Sequence, residues 1–263
     1  MKIGIFDSGI GGLTVLMRLK QNLPNADLTY FADNVNLPYG DKSRENIIKF
    51  TTNIIRFFIK NEIDIIVVPC NTSSAIAIDD VRQRFPKVKI FDIISPIASK
   101  IANNFNHLAV IATEGTIKSN IYRQKFQQNN PKITIEQIAC PKLVPMIENN
   151  LTDNLEKEKI LELYLSNVIT NKSIEGLIYG CTHYQYLNVE IKNILAKNNR
   201  EIQIFHPDDF LLQNILQNIE IDNINNQNVK FYTTGDKMQF FNNAKKFFDF
   251  IELNKIMELK NFH

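Results

Sequence analysis

The 263-residue chain has no tryptophan and only three cysteines. An odd and small number of thiols cannot form the disulfide framework that staples secreted domains, and a reducing compartment would keep all three free. Long apolar runs are missing too: no window approaches the roughly 18 consecutive apolar residues of a membrane span. The first residues, with Asp7 and a glycine cluster soon after Met1, lack the apolar centre of a secretory signal, so a cytoplasmic protein is expected. Nor is there an excess of one charge. Thirty basic residues face 28 acidic ones, interspersed, for a net charge of +2. Such a balance argues against nucleic acid or an anionic membrane as the main partner. A hydrophobic fraction of 44% with 22% charged residues is that of an ordinary globular chain. Its length suits one large domain or two of about 100 to 150 residues each.

What is present is a repeated alternation of strands and helices. Lys2 to Phe6 is a short apolar run that breaks at Asp7-Ser8-Gly9-Ile10-Gly11-Gly12, after which Leu13, Leu16, Met17 and Leu19 fall at helical spacing. Further strands are expected at residues 28–32, 63–68, 88–94, 108–111, 133–138, 176–179, 202–205 and 229–233. Helices are expected between them, including 73–85, 154–169, 186–197 and 208–218. The phenylalanine-rich tail from 238 to about 259 reads as a helix that packs back on the first unit and carries no site residues. This order predicts an α/β protein of two similar units with mainly parallel sheets, facing each other across a cleft. Residues 1–95 plus 207–263 would form one unit, carrying Asp7 and Cys70. Residues 96–206 would form the other, carrying Cys181 and His183. Ligands of such sheets bind at the carboxyl ends of the strands.

Those ends hold the reactive side chains. Ile65 to Pro69 runs into Cys70-Asn71-Thr72, and Leu177 to Gly180 into Cys181-Thr182-His183-Tyr184. Free cysteine is among the most buried residue types and usually inert, so either thiol alone carries little weight. The pair, in matching places beside small hydrogen-bonding residues, carries more. Cys140, before a proline, reads as structural. Zinc wants four ligands with close Cys or His pairs, and only Cys181 and His183 supply one. A Cys-x-x-Cys redox motif is absent. A Cys181–His183 nucleophile remains open but leaves Cys70 without a role. The glycine loop invites a nucleotide, yet Thr14 stands where the dinucleotide fingerprint needs its third glycine, and no Gly-Lys-Ser/Thr follows. An actin-like or sugar-kinase ATPase is the alternative that this loop leaves open. Two thiols across a cleft also suit a reaction in which one thiolate removes a proton from carbon while the other thiol delivers one to the opposite face. An unperturbed thiol, with a pKa of about 8.5, is mostly protonated at pH 7, so each needs a neighbour to tune it. Asp7 and His183 are the available neighbours.

Asp7-Ser8-Gly9-x-Gly11-Gly12-Leu13, Pro38-Tyr39-Gly40, Cys70-Asn71-Thr72, Leu143-Val144-Pro145 with Glu148, and Gly180-Cys181-Thr182-His183-Tyr184 together resemble the glutamate racemases in order and spacing, over nearly the whole chain. The resemblance implies interconversion of L- and D-glutamate with no pyridoxal phosphate, metal or other cofactor, supplying D-glutamate for peptidoglycan. It makes Cys70 and Cys181 the catalytic pair, the first acting on the D-enantiomer with Asp7 assisting and the second on the L-enantiomer with His183. Substrate-binding positions would be Asp7, Ser8, Tyr39, Gly40, Asn71, Thr72, Thr116, Thr182 and His183, with Thr113 and Glu148 as further candidates. A homodimer is the implied assembly. Pro69, Ser73-Ser74 and Gln185 depart from the family's usual pattern without replacing a catalytic group. The chain begins at its first strand, so regulation by a peptidoglycan precursor through an N-terminal extension is not expected.

Overall fold

Buried residues run unbroken through the inner strands, at 3–7, 65–68, 108–112 and 176–180, as strands covered on both faces require. The computed structural model describes residues 1–149, 153–220 and 228–262. Strands β1 (Lys2–Asp7), β2 (Asp27–Ala32), β3 (Ile65–Val68) and β4 (Lys89–Asp92) are parallel and lie in the order β2-β1-β3-β4. Strands β5 (His107–Ala112), β6 (Thr134–Ala139), β7 (Gly176–Gly180) and β8 (Gln203–Phe205) form a second parallel sheet in the order β6-β5-β7-β8. The two orders are the same: the first strand sits inside, the second beside it, the third and fourth on its other flank. In each sheet the strand order thus reverses between the first and third strands, the switch point at which such sheets hold ligands. Asp7 and Cys70 flank the switch of one sheet, and Thr113 and Cys181 that of the other.

The first sheet is completed from the far end of the chain. Strand β9 (Val229–Thr233) pairs in parallel with β2, Leu28 opposite Val229, and β10 (Ile256–Glu258) adds beyond it. Here the expected tail helix is corrected. Only α-helical residues Lys237–Lys245 form it, followed by a 3-10 turn at Leu253–Lys255 and then the sixth strand. No glycine or proline marks the change, and the exposed edge of β9 captures Ile256 to Glu258 in spite of the helical spacing before it. The tail does pack back on the first unit, with Phe240 stacked on Tyr30.

The helices follow the pattern closely. Helix α1 (Leu13–Asn22) leaves the glycine loop, and α2 (Arg44–Lys60) is capped by Ser43, whose hydroxyl accepts from the Asn46 amide. Its Ile47, Phe50, Ile54, Ile55 and Phe58 are buried, and each such side chain contributes about 1.5–3 kcal/mol. Phe58 lies flat against Gly4 of β1, where a Cβ would meet the ring at 2.9 Å. The single helix expected over 73–85 is two, α3 (Asn71–Ile76) and α4 (Ile78–Arg84), and Cys70 is the N-cap residue of the first. Helix α5 (Ile94–Ile101) starts where Asp92 Oδ1 accepts from the Ile94 and Ser95 amides at 2.9 and 2.8 Å. Pro96 falls in its first turn, where a missing N–H costs nothing.

In the second unit, α6 (Glu114–Ser119) and α7 (Ile121–Asn129) follow β5, α8 (Leu143–Glu148) and α9 (Asn154–Thr170) follow β6, and α10 (Asn188–Lys197) follows β7 after a 3-10 stretch at Thr182–Leu187. Helix α11 (Pro207–Asn218) returns the chain to the first sheet. One hydrophobic cluster joins the units, with Ile94 and Ile97 of α5, Tyr122 and Phe126 of α7, and Leu211 and Ile215 of α11.

Candidate active site

The loops after β1 and β3 bring five of the predicted residues together. Asp7, fully buried at the end of β1, accepts from the Gly9 amide at 3.0 Å through Oδ1. The Cys70 thiol donates to Ser8 Oγ at 3.9 Å. Asn71 and Thr72 begin α3, so the short helix that covers the switch point also aims their side chains. Tyr39 is packed between Phe6 and Phe50, and its hydroxyl donates to Asp33 Oδ2 at 2.5 Å, so the group is committed within the first unit.

The second unit supplies the facing half. Thr113 caps α6, and its hydroxyl shares hydrogen bonds with Thr72 at 2.9 Å and Thr116 at 3.0 Å, a cluster of three hydroxyls from both units. Cys181 Sγ lies 3.9 Å from His183 Nδ1, and His183 Nε2 lies 2.8 Å from Glu148 Oε1. Thr182 crosses to the first unit and donates to Asp7 Oδ2 at 3.1 Å. Cys140 sits apart, its thiol donating to the Ile138 carbonyl.

The glycine loop is built for closeness rather than for backbone freedom, since none of the described glycines has a positive φ. A Cβ on Gly9 would meet Glu148 Oε1 at 2.7 Å, and one on Gly11 would overlap the Thr182 hydroxyl and meet His183 Nδ1 at 2.8 Å. Gly40 likewise faces Thr113, 2.7 Å from where its Cβ would stand. The loop that suggests a phosphate cradle therefore seats the second cysteine loop instead. Both thiols are enclosed, Cys70 being 4% and Cys181 7% exposed.

Charge is distributed unevenly. Burial pushes the Cys70 thiol up to about 12, and the Asp7 carboxylate adds to this, against the Ser73 amide and hydroxyl. Burial also raises Asp7, opposed by the His183 charge, the Gly9 amide and Thr182. Burial works against charge on His183, but Cys181 and Glu148 outweigh it and hold the ring well above the usual histidine range. Glu148 is lowered despite its burial, by His183, the Ile10 amide and Asn243. The pair is thus an imidazolium and a carboxylate at neutral pH. Because folding raises the His183 value, its contribution to stability is complete below the unfolded value of about 6.5 and is lost as pH rises through the folded one. The Glu148 contribution runs the other way and disappears as pH falls through its depressed value. Glu148→Gln should therefore move the deprotonation of His183 to lower pH, as read from its imidazole NMR titration. An unmoved titration would show that Glu148 does not hold the charge.

Asn243 and Tyr122 escape sequence reasoning, and so do the contacts of Gln185, which the sequence marks only as a departure from the family pattern. Asn243, in the tail set aside as siteless, donates to Glu148 Oε2 at 3.1 Å. Gln185 donates to Thr14 Oγ1 at 2.8 Å and to the Thr182 carbonyl at 3.0 Å, tying the cysteine loop to α1. Tyr122 donates to Asn71 Oδ1 at 2.6 Å. Each acts across the chain at a distance that no local pattern encodes. Among the described residues no three His, Cys, Asp or Glu side chains converge to hold a metal ion.

Residues 13–207 match the family model described as Asp/Glu/Hydantoin racemase. A protein of Trichodesmium erythraeum named glutamate racemase is 36% identical over 91% of this chain and 88% of its own length. Another, from a Picosynechococcus species, is 34% identical over 98% of this chain and 92% of its own. The crystal structure of glutamate racemase from Francisella tularensis in complex with D-glutamate superimposes with a TM-score of 0.87 at 33% identity, over 98% of this chain and 97% of that one. With two like-ordered sheets, a thiol at the same corner of each, and these matches along nearly its full length, the chain belongs to the Asp/Glu/Hydantoin racemase family.

Proposed function

We propose that this protein interconverts L- and D-glutamate by passing the Cα proton between Cys70 and Cys181, without a cofactor. The observation that carries the reading is the pair of buried thiols at equivalent corners of two equivalent sheets, each with an ionisable neighbour: Asp7 beside Cys70, His183 beside Cys181. Residues 1–95 with 207–263 and residues 96–206 act as the two halves of the cleft. One thiolate takes the proton from Cα, the C–H electron pair moves into the adjacent carboxylate, and the other thiol returns a proton to the opposite face. Atoms balance, and the two thiols exchange protonation states. At rest Cys70, with its pKa pushed up to about 12, is a neutral thiol, so it is the acid that completes D-glutamate. Cys181, 3.9 Å from His183 Nδ1, works on the other face and opens L-glutamate.

Substrate brings two carboxylates and one ammonium. Ser8, Asn71, Thr72, Thr113, Thr116 and Thr182 offer hydroxyl and amide donors for the carboxylates, while the Asp7 carboxylate suits the ammonium. Burial of these groups in a water-poor cleft strengthens every such interaction and favours the carbanion. It also requires the two units to part for substrate to enter and leave. The relatives named glutamate racemase, and the D-glutamate bound in one of them, favour glutamate over its shorter homologue. In the cytoplasm the product would feed peptidoglycan synthesis. Turnover in heavy water with no added cofactor should place deuterium at Cα of the inverted product, read by mass spectrometry. A protiated product would sink the two-thiol mechanism, and faster turnover of D-aspartate than of D-glutamate would reassign the substrate.

A further inference from the structure

We infer that Tyr122 is a positioning residue for the substrate: its hydroxyl fixes the Asn71 side-chain amide so that Nδ2 faces the cleft as a donor to a substrate carboxylate. The inference rests on the racemase reading above and extends it to a residue outside the cleft loops.

Tyr122 lies on α7 of the second unit and is 0% exposed. Its one hydroxyl proton goes to Asn71 Oδ1 at 2.6 Å, an acceptor on the first unit. The phenol keeps that proton, because burial and the nearby Cys181 and Asp92 charges raise its pKa well above the usual range. With the amide turned over, the phenol proton and Asn71 Oδ1 would both be stranded in the interior. With the amide as found, Nδ2 alone is left, buried and without a partner among the described residues. Buried polar groups are nearly always paired, so a donor left over in this way calls for an acceptor from outside the chain. Asn71 directly follows Cys70, and it lines the same small cavity as Cys181 and Thr182. A carboxylate attached to a Cα between the two thiols would supply that acceptor. Because donor and acceptor of the Tyr122–Asn71 bond belong to different units, the amide is aimed only when the cleft is closed.

The test is steady-state kinetics on the full chain with D- and L-glutamate. Tyr122→Phe should raise KM roughly 10- to 100-fold, the loss expected for one hydrogen bond to a charged group, with a much smaller change in kcat. A merely structural hydrogen bond would instead lower the melting temperature or the active fraction and leave KM unchanged. Asn71→Asp, which keeps an acceptor for Tyr122 but removes the donor, should raise KM at least as much, and it serves if Tyr122→Phe does not fold. Wild-type KM in either folded variant overturns the role of Tyr122. A wild-type enzyme that fails to exchange the Cα proton of either enantiomer overturns the racemase reading itself.

Discussion

Cys70→Ala abolishes racemisation in both directions, and Cys181→Ala does the same, while Cys140→Ala leaves the rate close to wild type. The expected loss for either of these thiols is at least the 10²- to 10⁴-fold or so that one positioned acid or base contributes. Each variant keeps one thiol on one face of Cα, and this makes the experiment sharper than an activity loss. Cys70→Ala retains Cys181, so in heavy water it should wash deuterium into L-glutamate without inversion and leave D-glutamate untouched. Cys181→Ala should show the opposite preference. The Cys140 control is informative because that thiol is buried and its pKa is raised by burial, yet it donates to the Ile138 carbonyl rather than to a group at either strand corner. A single-cysteine variant that exchanged both enantiomers equally would contradict the assignment of one face to each thiol.

The second large effect is expected at a residue with no chemistry of its own. In Gly11→Ala the added methyl overlaps the Thr182 hydroxyl and stands 2.8 Å from His183 Nδ1, groups of the opposite unit. Since Gly11 has no positive φ, alanine is acceptable to the backbone, and the penalty appears only on closure. Overpacking of this kind costs about 1–3 kcal/mol. It falls on the loop that aims Cys181, where a displacement near 1 Å is enough to lose about 100-fold in rate. We therefore expect kcat/KM to drop by about two orders of magnitude with little change in melting temperature. Gly4→Ala is the contrasting case: its methyl meets the Phe58 ring inside the first unit, so it should lower stability. Wild-type kcat/KM in Gly11→Ala would mean that the glycine loop does not seat the cysteine loop.

Much of this arrangement is legible in the sequence because it is local. Unbroken apolar runs ending in small polar residues give the strands and the side chains at their carboxyl ends, and the repeated order gives the two units. Cys70, Cys181, Asp7 and His183 are found in this way. What is not legible is relational. The Ile256–Glu258 strand owes its existence to an unpaired edge on β9, and Asn243 reaches Glu148 only because the tail returns across the cleft. Tyr122 has no motif around it, and its place beside Asn71 is a property of two packed helices. The glycine loop is readable as a tight turn but not as a socket, because its neighbours come from 170 or so residues away in the chain, where closure depends on the packed fold rather than on sequence distance.

The parallel pairing of Leu28 with Val229 fixes an order of assembly during synthesis. The four strands of the second sheet lie between His107 and Phe205, so they can pair while later residues are still being added. The first sheet begins earlier and finishes last, because β2 keeps an open edge until β9 emerges some 200 residues after it. Such non-local pairing is slow, and an unpaired inner strand is the surface on which growing chains associate wrongly. The corner that holds Asp7 and Cys70 is therefore begun early, but the sheet that carries it closes its β2 edge only once β9 has emerged.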